Sequence, residues 1–193
     1  MKLKHAVGRS FVIVTILLLS VLIGYIYSNV WHNIDLRSHP KDYSEFVETY
    51  AAAYGVPEYL IYGVILEGSD FESNRVSEDG RIGLMQMSPE TFGRLTRITK
   101  EELDPGMLYD PETNVRYGTY WLSYLYTNYG RWHTVLAVHA ADDEDLVSLW
   151  LESGGYTDDK GNLTEIPDTA VREAVEAFEE ASEMYHDLYY DTP

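Results

Sequence analysis

Three observations predict an all-α domain behind a single N-terminal membrane helix. Residues 11–30 contain no charged side chain. Beyond residue 42 the chain reads as helix after helix, with apolar side chains recurring at three- and four-residue spacing. Those helices are punctuated by cap signals, Ser or Asp followed by Pro and Glu, and by Gly stops.

The apolar run comes first. Twenty helical residues at about 1.5 Å each span roughly 30 Å, the thickness of a bilayer core. Lys2, Lys4 and Arg9 precede the run, and the positive-inside rule keeps them in the cytoplasm. The rival reading, a cleaved signal peptide, lacks an A-x-A-like site near residues 26–31. The expected organisation is a cytoplasmic stretch at 1–9, a transmembrane signal anchor at 10–30, a tether at 31–42 and a folded domain at 43–190. The expected location is the cell membrane, single-pass, with the domain on the extracytoplasmic side.

The helices follow in order. Asp42 and Glu45 have capping-box spacing for a helix to residue 54, with Phe46, Val47 and Tyr50 on one face, and Gly55 stops it. Pro57 suits the first turn of a helix to about residue 68. Ser88-Pro89-Glu90 and Asp110-Pro111-Glu112 start two more. The second of these is the longest and ends near Gly130, with Val115, Gly118, Trp121, Leu122 and Leu125 on its inner face. Helices at 132–141 and 143–152 come next. Gly154, Gly155 and Gly161 break the stretch 154–166 into a loop or small hairpin, with a turn at Asp158-Asp159-Lys160-Gly161. A terminal helix at 167–190 turns Val171, Val175, Phe178 and Met184 inward.

Charge narrows the function. The formal net charge is −18. Residues 1–30 hold three of the 14 Lys and Arg and none of the 32 Asp and Glu, leaving 11 basic against 32 acidic residues outside the membrane, or −21. Such a surface excludes nucleic acid as a ligand and disfavours anionic wall polymers and lipid headgroups. The chain has no Cys, hence no disulfide framework and no lipid-modified Cys. Asp142-Asp143-Glu144-Asp145 reads as an acidic helix N-terminus, lacking the spacing and Gly of a calcium loop. No metal and no cofactor are expected.

The segments at 56–71 (V-P-E-Y-L-I-Y-G-V-I-L-E-G-S-D-F) and 83–89 (G-L-M-Q-M-S-P) carry a resemblance. With Asp110-Pro111-Glu112-Thr113-Asn114-Val115 and the stretch 117–122, they resemble the soluble lytic transglycosylase family, relatives of goose-type lysozyme that cut peptidoglycan. The resemblance covers residues 45–151 and implies a lysozyme-like helical domain. It also implies one catalytic Glu, which acts as acid and then as base on the sugar's own 6-hydroxyl to give a 1,6-anhydro product. In that family the acid helix reads L-V-x-A-V-I-x-x-E-S-x-F. Counted from Leu60, Ile65 or Phe71, the acid falls at position 68, which is Gly here, and Glu67 lies one residue early.

Other site positions are divided. Ser69 matches the Ser after the acid, and Gly83-Leu84-Met85-Gln86 matches the loop whose Gln lines the sugar groove. Where relatives have A-A-Y-N-A-G, this chain has residues 137–142, with His139 for Tyr, Ala140 for Asn and Asp142 for Gly. Ala174 stands where a later groove Tyr is expected. On the resemblance, Ser69, Met85, Gln86 and His139 are substrate-binding candidates and Glu67 is the remaining catalytic candidate, with Glu72 behind it. For His139 the competing reading is a satisfied core residue. The expected function is a catalytically impaired, membrane-anchored envelope protein that binds peptidoglycan glycan strands or an envelope protein. The alternatives are a lytic transglycosylase using Glu67, and a purely structural protein.

Overall fold

The structure, a computed structural model, describes residues 15–27, 30 and 37–191. Two compact units separate at residue 40. In the first, residues 15–27 are helical with every side chain exposed. Among the described residues no helix is long and apolar enough to cross a membrane. The expected span at 10–30 lies partly outside the described residues, as does most of the tether.

Among the described residues the second unit holds seven α-helices. They are α1 (Ser44–Tyr54), α2 (Glu58–Ser69), α3 (Pro89–Thr99), α4 (Pro111–Tyr129), α5 (Trp132–Ala141), α6 (Glu144–Ser153) and α7 (Thr169–Tyr189), with a 3-10 turn at Pro105–Tyr109 between α3 and α4. Local chemistry sets most boundaries. The side chains of Ser88, Asp110, Asp143 and Asp168 accept backbone N–H groups at the starts of α3, α4, α6 and α7. Gly55, Gly130 and Gly154 end α1, α4 and α6 in the left-handed conformation. The 154–166 stretch forms the expected small hairpin, with one bridge between Thr157 and Leu163 and Asp158 side-chain bonds to the turn amides of Lys160 and Asn162.

Two expectations need correction. Asp42 and Glu45 form no capping box, because Tyr43 occupies the N-cap of α1 in a left-handed conformation without a side-chain cap bond. Met184 is 36% exposed. The inward stripe of α7 runs through Val171, Val175, Phe178, Ala181 and Tyr185, and the residue before Tyr185 is rotated by about 100° away from it.

Helix α2 is the central element, with Leu60, Ile61, Tyr62, Val64 and Ile65 all buried. A run of consecutive buried apolar residues around a helix belongs in a core, and the exposed Glu67 lies beyond that run. Its longest contact is with α7, while α4 packs against α1 and α5, and α5 also packs on α7. Gly63 permits the α2–α7 approach. A Cβ there would lie 2.8 Å from the Ser182 amide nitrogen and 3.0 Å from the Phe178 carbonyl oxygen.

Candidate functional site

The resemblance points to the C-terminal end of α2 and the loop beyond it. Asp70 and Phe71 both take left-handed backbone conformations, φ 50° and 61°, and turn the chain sharply away from α2. The loop returns through isolated bridges from Ile82 to Val76 and to Met87. Gly83, at φ 81°, sits where a Cβ would lie 2.5 Å from the Leu108 carbonyl and collide with the Asn114 amide. Asn114, buried at the start of α4, holds the loop with three bonds. Its Nδ2 donates to the Ile82 and Leu108 carbonyls, each at 2.8 Å, and its Oδ1 accepts from the Met85 amide at 2.7 Å. All of the hydrogen-bonding atoms of that side chain are thereby engaged. The sequence signal for this role is the Asn in the first turn after the Asp110-Pro111-Glu112 start; its burial and three bonds come only from the fold.

The Gln86 side chain folds onto its own loop. It is 8% exposed, with Nε2 donating to the Gly83 carbonyl at 2.7 Å and to the Arg75 carbonyl at 3.4 Å. Position 68 faces it directly: a Cβ on Gly68 would lie 3.3 Å from Gln86 Cγ and 3.7 Å from the Leu84 carbonyl oxygen. Glu67 is exposed, rotated from that direction by about 100° around the helix. Glu72 is exposed on the loop.

The remaining site residues lie beneath the surface. Ser69 is fully buried and its Oγ donates to the Ile65 carbonyl at 3.0 Å within α2. Met85 is fully buried against Gly118. His139 is 3% exposed, with its ring 5.9 Å from that of Phe178. Burial, with the nearby Arg81 guanidinium, pulls its pKa down to about 3, against the opposing effect of a hydrogen bond to the Met85 backbone. The imidazole is therefore neutral near pH 7 and is no proton donor from a cationic form. Ala140 is buried and Ala174 half-buried, and neither offers a polar atom beyond its backbone.

Two contacts tie α5 to the loop and α3. Arg81 donates to the His139 carbonyl at 3.2 Å while paired with Asp79, and Thr91 donates to Asp142 at 2.9 Å. Asp142 occupies the left-handed C-cap of α5, at φ 51°. A separate groove of about 580 Å³ lies between α3, α4 and the start of α6. It includes neither Gly68 nor Gln86, and on its wall Arg94 stacks over Trp121 at 4.6 Å and pairs with Glu144. Among the described residues no group of three or more His, Cys, Asp or Glu is placed to hold a metal ion.

Comparison with known proteins fits this geometry. Residues 45–145 match the family model described as the Transglycosylase SLT domain. The soluble lytic murein transglycosylase of Escherichia coli K12 is 26% identical over 168 residues, spanning 86% of this chain and 25% of that protein. The membrane-bound lytic murein transglycosylase C of Yersinia pestis is 35% identical over 101 residues, spanning 51% of this chain and 28% of that protein. In structure the chain is similar to the 70 kDa soluble lytic transglycosylase of E. coli, at a TM-score of 0.71 and 25% identity over 86% of this chain and 30% of that one. It is also similar to a 70 kDa soluble lytic transglycosylase in complex with bulgecin A, at a TM-score of 0.72 and 25% identity over 88% of this chain and 30% of that one. The domain thus has the all-helical lysozyme-like fold, and the chain spans between a quarter and a third of the length of these proteins.

Proposed function

Because the chain belongs to the Transglycosylase SLT domain family, we propose that it is a peptidoglycan-binding envelope protein with impaired lytic transglycosylase chemistry, anchored in the cell membrane by residues 10–30. The observation that carries the reading is the geometry at position 68. The site that faces Gln86 has no side chain, and the neighbouring carboxylate, Glu67, is on an exposed helix position. A proton donor must come within hydrogen-bond reach of the scissile oxygen, and a misplacement of about 1 Å costs roughly a hundredfold in rate. Anchoring is supported by the uncharged run and by the exposure of the apolar side chains over residues 15–27.

Weak glycan binding accompanies this reading. On the resemblance Gln86 and its loop floor the sugar groove, but positions 68, 140 and 174 add no polar side-chain atoms. At about 1 kcal/mol for each missing hydrogen bond, affinity for soluble glycan fragments falls well short of about 1 μM. The test is incubation of the purified chain with peptidoglycan, followed by analysis for 1,6-anhydro muropeptides, with little or none expected. Abundant product that disappears in Glu67→Gln would replace this reading with the alternative, in which Glu67 is the acid and base of an active lytic transglycosylase.

A further inference from the structure

Away from the groove, at the point where the chain enters the folded domain, a side-chain ammonium sits among aromatic rings. Lys41 Nζ is 5.4 Å from the ring centroid of Tyr62, 5.5 Å from that of Tyr189 and 5.0 Å from that of Tyr190. Each distance is within the roughly 6 Å over which the negative face of a ring attracts a cation. The Glu58 carboxylate closes the arrangement 3.8 Å from the same nitrogen. Three rings and one carboxylate around one ammonium are the chemistry of a cation-recognition site, not of a chance surface pair.

The box is built rigidly. Tyr62 is fully buried on α2 and stacks on Tyr185 at 5.1 Å, and Tyr185 stacks in turn on Tyr189 at 5.9 Å. Tyr190 donates its hydroxyl to Glu58 at 2.6 Å and meets the edge of Tyr59 at 6.1 Å. The walls therefore come from α2 and the last turn of α7 and are fixed by contacts that do not involve Lys41. The Tyr62 hydroxyl has no hydrogen-bond partner although it is buried. Such an orphan is costly inside a core, so packing elsewhere holds the ring in this orientation. The Lys41 side chain is about a quarter exposed, as is that of Glu58, and it reaches in from the first residue of the domain.

We propose that Tyr62, Tyr189, Tyr190 and Glu58 form an alkylammonium-binding box whose resident ligand is the chain's own Lys41. The side chain latches the entry point of the domain to the end of α7, and a free primary alkylammonium takes its place when it is removed. The ligand class follows from the occupant, a primary ammonium on a four-carbon stem, for which n-butylammonium is the matching probe.

The experiment uses the full chain in detergent, with n-butylammonium chloride titrated against the native protein and Lys41→Ala and followed by saturation-transfer NMR. Lys41→Ala should bind the probe saturably, with a dissociation constant on the order of 1 mM. The native protein should bind it severalfold more weakly, because a tethered Lys41 competes at an effective concentration of several millimolar. Sodium chloride at equal ionic strength should not displace the probe, and Tyr190→Leu in the Lys41→Ala background should abolish binding. Should Lys41→Ala fail to fold, Lys41→Gln gives the same reading. Absence of saturable binding by the Lys41 variant overturns the proposal. So does equal binding by the native chain, or binding indifferent to Tyr190→Leu.

Discussion

Gly68 and Glu67 differ by one residue and by about 100° around the axis of α2, and the two positions make different demands on a side chain. Gly68→Glu places a Cβ 3.3 Å from Gln86 Cγ, so the Gln86 side chain must give by a few tenths of an ångström. The helix-propensity gain of about 1 kcal/mol on replacing Gly offsets that crowding, so we expect a stability change within about 1 kcal/mol, read by urea denaturation, and almost no gain in 1,6-anhydro product. Adding His139→Tyr, Ala140→Asn and Ala174→Tyr should raise product release above that of the single variant, measured on the same peptidoglycan. His139 gives a second residue-scale expectation. Its pKa falls from about 6.5 in the unfolded chain to about 3 in the fold. The unfolded state therefore takes up a proton first as pH drops. The stability tied to the neutral ring is present above pH 6.5 and is lost progressively towards pH 3, with a slope approaching about 1.4 kcal/mol per pH unit. Urea denaturation between pH 7.5 and 5 should show a shallower decline for His139→Gln than for the native chain, and parallel curves would show that His139 is not the responsible group. His133 acts in the opposite sense. Glu179 raises its pKa, so that contribution is present at low pH and fades as pH rises, but the pair is too exposed to be worth more than a fraction of a kcal/mol.

At the scale of elements, the α2–α7 crossing is the contact with the least tolerance. Gly63 puts backbone against backbone, with no volume left for a methyl group. Gly63→Ala should cost about 1–3 kcal/mol, read as a lower urea midpoint at unchanged slope. Helix propensity works the other way, since Ala is favoured over Gly by about 1 kcal/mol in a helix interior. A net loss would therefore identify packing, not backbone entropy, as the dominant effect. Ser182→Gly in the same chain should recover only part of it, because the Ser182 amide remains in the way. A neutral or stabilising Gly63→Ala would mean that α7 shifts along α2 at little cost.

For the molecule as a whole, the net charge of −18 makes self-repulsion a global term that no single ion pair offsets. Raising salt from about 10 mM to about 150 mM shortens the Debye length from roughly 30 Å to roughly 8 Å. Thermal melts should move upward by about 2–4 °C, corresponding to about 1 kcal/mol of relieved repulsion in a protein of this size. A melting temperature that falls with salt would mean that attractive pairs such as Arg116–Glu101 and Arg94–Glu144 outweigh the net charge.

The sequence by itself determined the helices and most of their ends. Caps at Ser88, Asp110 and Asp143, and stops at Gly55, Gly130 and Gly154, are bonds between residues a few positions apart, so residue type and spacing are sufficient to place them. It also sets Gly68 where the resembled motif carries its Glu, because a helix fixes the phase of every residue relative to Leu60 and Phe71. Only the tertiary structure decided where side chains went once the helices met. His139 is buried against Phe178, the Gln86 amide is engaged by its own loop, and Tyr185 takes the inward place expected of Met184. The ring of tyrosines around Lys41 belongs to the same class, since it brings residue 41 against residues 189 and 190. Such outcomes depend on distances between segments far apart in the chain, set by how closely α2 and α7 can approach, and a period of 3.6 residues carries no information about that separation.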